Sequence, residues 1–187
     1  MAYVLFISED KLKDSTAING NVDVNFILPY VKVAQKIHCE DKLGTDLYDK
    51  LQSEITAGTL TGDYRTLVDD YIGDMLPQWS FYMCIPYLRF KIENSNIFSK
   101  TSETGTALST EESQHLREEV RNTAEYYTER MIEYVTNNLS SFPEYSTNTG
   151  ADVSPDRNAY YNGINVERPD GQGSKLTLRN FLTSDLT

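Results

Sequence analysis

The chain contains only two histidines, two cysteines and one tryptophan in 187 residues. Scarce histidine removes most acid–base and metal-centred catalytic templates at once. The two cysteines, Cys39 and Cys84, are too few for a disulfide scaffold. Both lie in apolar helical context and read as buried thiols of a reducing compartment. Basic residues are also short, 17 against 28 acids, leaving a net charge of −11. Phosphate contacts need a concentrated basic surface, so a general nucleic-acid binder is excluded, as is electrostatic docking to anionic lipid. Long apolar runs are missing too. The N-terminal MAYVLFISEDKLK lacks a basic leader and a long apolar stretch, and nothing approaches the ~20 apolar residues of a membrane span. The expectation is a soluble protein made in a cytoplasm, without a membrane partner, for which the Asn138-Leu139-Ser140 sequon has no consequence.

What the chain does have is tyrosine, 13 residues of it, and helical periodicity. Val4-Leu5-Phe6-Ile7 reads as a short strand or an apolar anchor. Ser8 is placed to cap a brief helix from Glu9 to Lys13. Val24, Ile27, Leu28, Val31, Ala34 and Ile37 form a helical stripe, with Pro29 predicting a kink or a helix start moved close to it. Gly44 ends that unit, and Thr45 is the expected cap of the next helix, which closes at Gly58. Thr61 or Gly62 opens another helix, which Pro77 is expected to interrupt. Trp79 to Ile92 is apolar on nearly all sides and predicts a central buried helix. Residues 93–108 are polar and predict a loop or a small β-hairpin. Ser109 and Glu112 then form a capping box for a long helix ending near Leu139, a rod of about 45 Å. The predicted fold is therefore mainly α: a helical bundle over 1–142, with a loop or hairpin insertion at 93–108 and an extended C-terminal docking arm over 143–187.

Candidate chemistry is sparse. Glu112 and His115 have the Glu-x-x-His spacing of carboxylate-bridged di-iron bundles, but His38 has Gln35 in the corresponding place, so no second pair exists. His38-Cys39-Glu40-Asp41 offers four ligand types in a row, yet consecutive helical residues point in different directions. Gly171-Gln172-Gly173-Ser174-Lys175 lacks the order and context of a phosphate loop. Glu111-Glu112 and Glu118-Glu119 have no matching acid pairs on a second helix and read as a solvated face. We expect no catalytic residue, no metal and no cofactor. The positive signals concern protein contact, because tyrosine is large, rigid and able to keep its hydroxyl wet. Tyr64, Tyr71, Tyr82 and Tyr87 read as edges of the core. Tyr145, Tyr160, Tyr161, Ile164, Phe181 and Leu182 on the arm, and Ile97 and Phe98 on the insertion, are the candidate interface residues.

The block ISEDKLKDSTAINGNVDVNFILPYVKVAQKIHCEDKLGTDLYDKL, with its Leu43-Gly44-Thr45-Asp46-Leu47-Tyr48 turn, resembles the small head-to-tail connector proteins of tailed bacteriophages. These are also called adaptor or head-completion ring proteins, and the closest likeness is to ring proteins of crAss-like phages. The long helix closing through Phe142-Pro143-Glu144-Tyr145 also looks like that family. The resemblance covers roughly residues 5–145 and none of the remaining arm. It implies a homo-oligomeric ring, typically dodecameric, bound beneath the portal protein at the head–tail junction of the virion. It also implies contacts with further tail or connector proteins, assembly in the host cytoplasm, and a channel through which DNA passes without sequence-specific binding. The rival expectations are a cytoplasmic helical adaptor or regulatory module, and an all-α metal-dependent hydrolase.

Overall fold

The computed structural model describes residues 4–18, 22–88, 90–92, 97–99, 109–147, 149 and 153–157. It is mainly helical. Helix α1 (Glu9–Ser15) is capped by the Ser8 side chain, which accepts from the Lys11 amide. Helix α2 (Val24–Ala34) is capped by Asp23 and passes without a break into a π-helical segment, Gln35–Glu40, and a closing turn, α3 (Asp41–Leu43). Pro29 lies inside α2, so the helix starts five residues earlier than a proline-set start would place it. One missing amide costs one hydrogen bond, and burial of Ile27, Val31 and Ala34 offsets that loss.

Helix α4 (Thr45–Ala57) follows at once and ends in a left-handed Gly58. Thr45 is not its cap. Gly44 takes that position, with φ 75° and ψ 158°, a backbone region that side chains resist. Helix α5 (Gly62–Thr66) leads through a second π-helical segment, Leu67–Ile72, into α6 (Gly73–Leu88). Pro77 does not interrupt this run, and Pro86 also lies within α6. Packing of α6 against α2 on one flank and α7 on another holds it helical despite the two lost amides. The apolar run does not remain helical to Ile92, as expected from sequence. It leaves the helix at Leu88, and Phe90–Ile92 forms β1, antiparallel to β2 (Ile97–Ser99), with Lys91 opposite Phe98. The insertion is thus a hairpin that begins before residue 93. Helix α7 (Thr110–Asn137) carries the expected capping box, both halves formed between Ser109 and Glu112. A short 3-10 turn, Pro143–Tyr145, follows it.

The wider turns of the π-helical segments alter which side chains face inward. Gln35, His38, Cys39 and Glu40 are all buried, a set that no single α-helical stripe would contain. Gln35 is fully buried and works as a backbone substitute. Its Oε1 accepts from the Phe6 amide at 2.8 Å, and its Nε2 donates to the Val4 carbonyl at 2.9 Å and the Tyr48 hydroxyl at 3.0 Å. Gln52 repeats the pattern: its Oε1 accepts from the Val4 amide, and its Nε2 donates to the Val4 carbonyl. Two amides therefore hold the 4–7 segment as an extended anchor rather than a sheet strand, while Phe6 and Ile7 enter the core. Replacing Gln35 by leucine keeps the volume but leaves the Phe6 amide buried without its acceptor. We predict a loss of about 2 kcal/mol in urea unfolding for Gln35→Leu. The half-buried Gln52→Leu should lose less, and the reverse ranking would refute this account.

Candidate interaction site at the helical turn and the C-terminal segment

The Leu43–Tyr48 turn is where residues far apart in sequence converge. Helix α4 presents Thr45 and Asp46 on its first turn, and the segment after the 3-10 turn runs across them. The Thr45 amide donates to the Val153 carbonyl and the Thr45 hydroxyl accepts from the Val153 amide, both at 3.0 Å. This cross-link explains why Thr45 is not a helix cap. The Asp46 carboxylate accepts from the Thr149 amide at 2.9 Å, the Thr149 hydroxyl at 2.8 Å and the Thr147 hydroxyl at 3.3 Å. The Thr149 amide and hydroxyl, followed by the Thr147 hydroxyl, hold its pKa below the usual carboxylate value. Further on, the Asp156 amide donates to the Asp41 carbonyl at 2.9 Å, and the Asp156 carboxylate meets the Lys42 ammonium at 2.5 Å. The Lys42 side chain is buried, so this carboxylate supplies charge compensation that water does not. Pro155 closes over Gly44 so tightly that a Cβ there would stand 2.6 Å from its ring.

Tyr145 lies beneath this seam. It was expected on an interface arm, outside any core, but only 1% of it is exposed. The 3-10 turn packs against α4, and Phe142 is fully buried between the Tyr64 ring at 5.3 Å and the Tyr134 ring at 5.8 Å. The Tyr64 hydroxyl donates to Glu144 at 2.7 Å, and burial followed by this bond pushes the phenol well above its usual pKa. Arg157 stands over the Tyr145 ring at 5.2 Å. Tyr145 follows no helical period because it sits in a 3-10 turn rather than on an α-helical face. Accordingly, the helical body does not stop at 142, and the described part of the arm is bound to its own chain.

The other named residues fare differently. Ile97 and Phe98 form β2 of the hairpin, with Phe98 opposite Lys91 and Ile97 opposite Ile92 in register. Tyr160, Tyr161, Ile164, Phe181 and Leu182 lie outside the described residues, as does the 171–175 loop. Tyr64, Tyr71 and Tyr82 edge the core as expected, whereas Tyr87 is 45% exposed and stacks on Tyr30 at 4.8 Å.

The His38–Asp41 run disperses. The His38 ring stacks on Trp79 at 3.7 Å, Cys39 is fully buried, Glu40 pairs with Lys36, and the Asp41 carbonyl takes the C-terminal segment. Burial pushes the Cys39 thiol far above its ordinary pKa, so it is neither a nucleophile nor a ready ligand. Among the described residues no group of three or more His, Cys, Asp or Glu side chains is arranged to hold a metal. None of their helices is long and apolar enough to cross a membrane. An open cleft of about 370 Å³ lies between the anchor and the second π-helical segment, lined by Phe6, Ile7, Ser8, Lys11, Val68, Asp69 and Gly73. The Lys11–Asp74 pair is also formed between α1 and α6.

Two predictions follow from this geometry. Burial, and then the nearby Lys42 charge, lower the His38 pKa to about 4 from 6.5. The unfolded chain takes up this proton first, so the contribution to stability is complete above pH 6.5 and lost as pH falls towards 4. The loss amounts to about 3 kcal/mol. His38→Phe, which keeps a ring on Trp79, should flatten the urea-derived stability profile between pH 6.5 and 4; an unchanged slope would exclude His38 as its source. Gly44→Ala meets both the positive φ and Pro155, so it should lose about 2–3 kcal/mol and speed amide exchange at Thr45 and Asp156.

Comparison with known proteins finds one family model, the family of unknown function DUF6712, matching residues 39–155. No curated protein and no solved structure matches the chain. The matched stretch opens in the first π-helical segment and closes at Pro155, so it holds both sides of the seam just described. More than half of the chain is covered, and the protein belongs to the DUF6712 family.

Proposed function

We propose that this protein is a structural virion component without catalytic activity, a subunit of the connector ring between the head and the tail of a bacteriophage. The observation that carries this reading is the seam itself. Two of the segments that carry the likeness to connector proteins, Leu43–Tyr48 and Phe142–Tyr145, lie about a hundred residues apart in sequence. In the fold, Pro143–Tyr145 packs directly on α4. The resembling segments therefore lie together in one physical unit. Tyr64 bonded to Glu144 and Asp46 bonded to Thr149 fix that unit rigidly. Such a body suits a part that must hold its shape while neighbours bind around it.

The acidic balance supports the same reading. A surface of net charge −11 repels DNA, which suits the wall of a channel through which DNA slides without being held. In this role the partners are further copies of the chain in a closed ring, a portal protein above and later connector or tail proteins below. The site of action is the head–tail junction, reached after assembly in the host cytoplasm.

Electron microscopy of the purified chain mixed with its cognate portal tests the proposal. The expected result is a ring of added density coaxial with the portal and an acidic inner wall. A portal left undecorated at saturating chain would overturn it in favour of a helical adaptor unrelated to virions.

A further inference from the structure

The outward side of α2 carries two adjacent rows of residues spaced by four, Leu28–Lys32–Lys36 and Pro29–Val33–Ile37, continuing into the π-helical segment. Ile27, Val31 and Ala34 take the inward side, and the outer rows are left to solvent. Val33 is 45% exposed and Ile37 48%, two branched apolar side chains on a helix surface with lysines beside them. Residues four apart form a continuous ridge, the element that packs into a groove of another helix. A ridge of this composition is an incomplete contact.

The outer face of α7 has the opposite character. Glu118, Glu119, Glu129 and Glu133 are exposed along it, and Tyr126 stands among them at 58% exposure. Tyr126 touches only the neighbouring Tyr127 ring, edge to face at 5.6 Å, among the aromatic contacts described. Within one chain both strips are open to solvent, so neither covers the other. One offers apolar side chains flanked by cations, and the other offers an aromatic anchor flanked by carboxylates.

We propose that the α2 ridge of one copy docks on the outer face of α7 of a second copy, with Val33 and Ile37 packed around Tyr126. Lys32 and Lys36 then face the α7 carboxylates at the edge of the contact, and the pair of Lys36 with Glu40 in its own helix fixes where that charge stands. An aromatic anchor at the centre and charges at the rim follow the usual division of labour in protein interfaces. Because two different surfaces meet, the contact is heterologous: each added copy leaves one strip of each kind open until the assembly closes on itself. This inference rests on the ring reading above and supplies the surfaces through which the ring would form.

Cysteine cross-linking of the full chain, alone and with portal, tests it. The native Cys39 and Cys84 are buried, so introduced thiols are the ones a short bismaleimide reaches. The double variant Ile37→Cys with Tyr126→Cys should give a ladder of covalent multimers, and each single variant none. Adding Lys32→Glu, or raising salt, should reduce ladder yield several-fold. A discrete dimer from Ile37→Cys alone would show α2 meeting α2 and overturn the proposal. So would oligomers seen by light scattering without a ladder, or a chain that is monomeric both alone and with portal. A ladder formed by a chain that never decorates the portal would uphold the α2–α7 contact and remove the connector reading.

Discussion

The single indole of the chain joins three helical runs at once, and the arrangement of the body depends on it. Trp79, on α6, stacks face to face with His38 from the segment after α2. Its Nε1 donates to the Thr128 hydroxyl on α7 at 2.9 Å, and that hydroxyl in turn donates to the Ala124 carbonyl at 2.7 Å. Tyr82 packs edge to face with the same indole and carries the Arg117 guanidinium over its ring at 4.3 Å. A buried indole must place its one donor, and here the acceptor is fully buried as well. Relative rotation of α6 and α7 would break that bond and open the stack together. The same contact explains why His38 stays neutral, since a charged imidazole would have to enter an apolar, desolvated stack beside Lys42.

A second constraint is the disposal of backbone polar groups outside helices. The anchor at 4–7 and the segment at 153–157 belong to neither a helix nor a strand. Side chains of the helical body serve instead, Gln35 and Gln52 for the first, Thr45 and Asp46 with the Asp41 carbonyl for the second. Both sets of partners come from the stretch that runs from the end of α2 into α4, so the two distant segments are fastened to neighbouring parts of one unit. Gly44 is required there for two separate reasons, its positive φ and the approach of Pro155. Stability and shape at this seam are consequently linked to residues beyond the last helix.

The connector reading draws on that rigidity and on surface character rather than on a reactive centre. Several potential ligands are held elsewhere: Cys39 in the core, Glu40 by Lys36, Glu112 in the capping box, Asp46 by Thr149. Among the described residues, a lysine-flanked apolar ridge and an acidic helix face carrying one tyrosine are open to solvent. Their opposite signs are the ground on which we propose that copies of the same chain meet there.

Helix class, the caps at Ser8 and Ser109 and the Gly58 stop were all legible from the amino-acid sequence, because each follows from local chemistry or a 3.6-residue period. Tertiary packing decided the rest. It carried α6 through Pro77, gave Thr45 to the C-terminal segment instead of to its helix, and turned Phe90–Ile92 into a strand. It placed Tyr145 in the core and Tyr87 on the surface. The two π-helical segments had no sequence signature, since a wider turn is selected by what must be buried on either side of it. Local patterns report what a segment prefers alone, whereas Trp79, Gly44 and Gln35 acquire their roles only from partners tens of residues away, which no short-range period encodes.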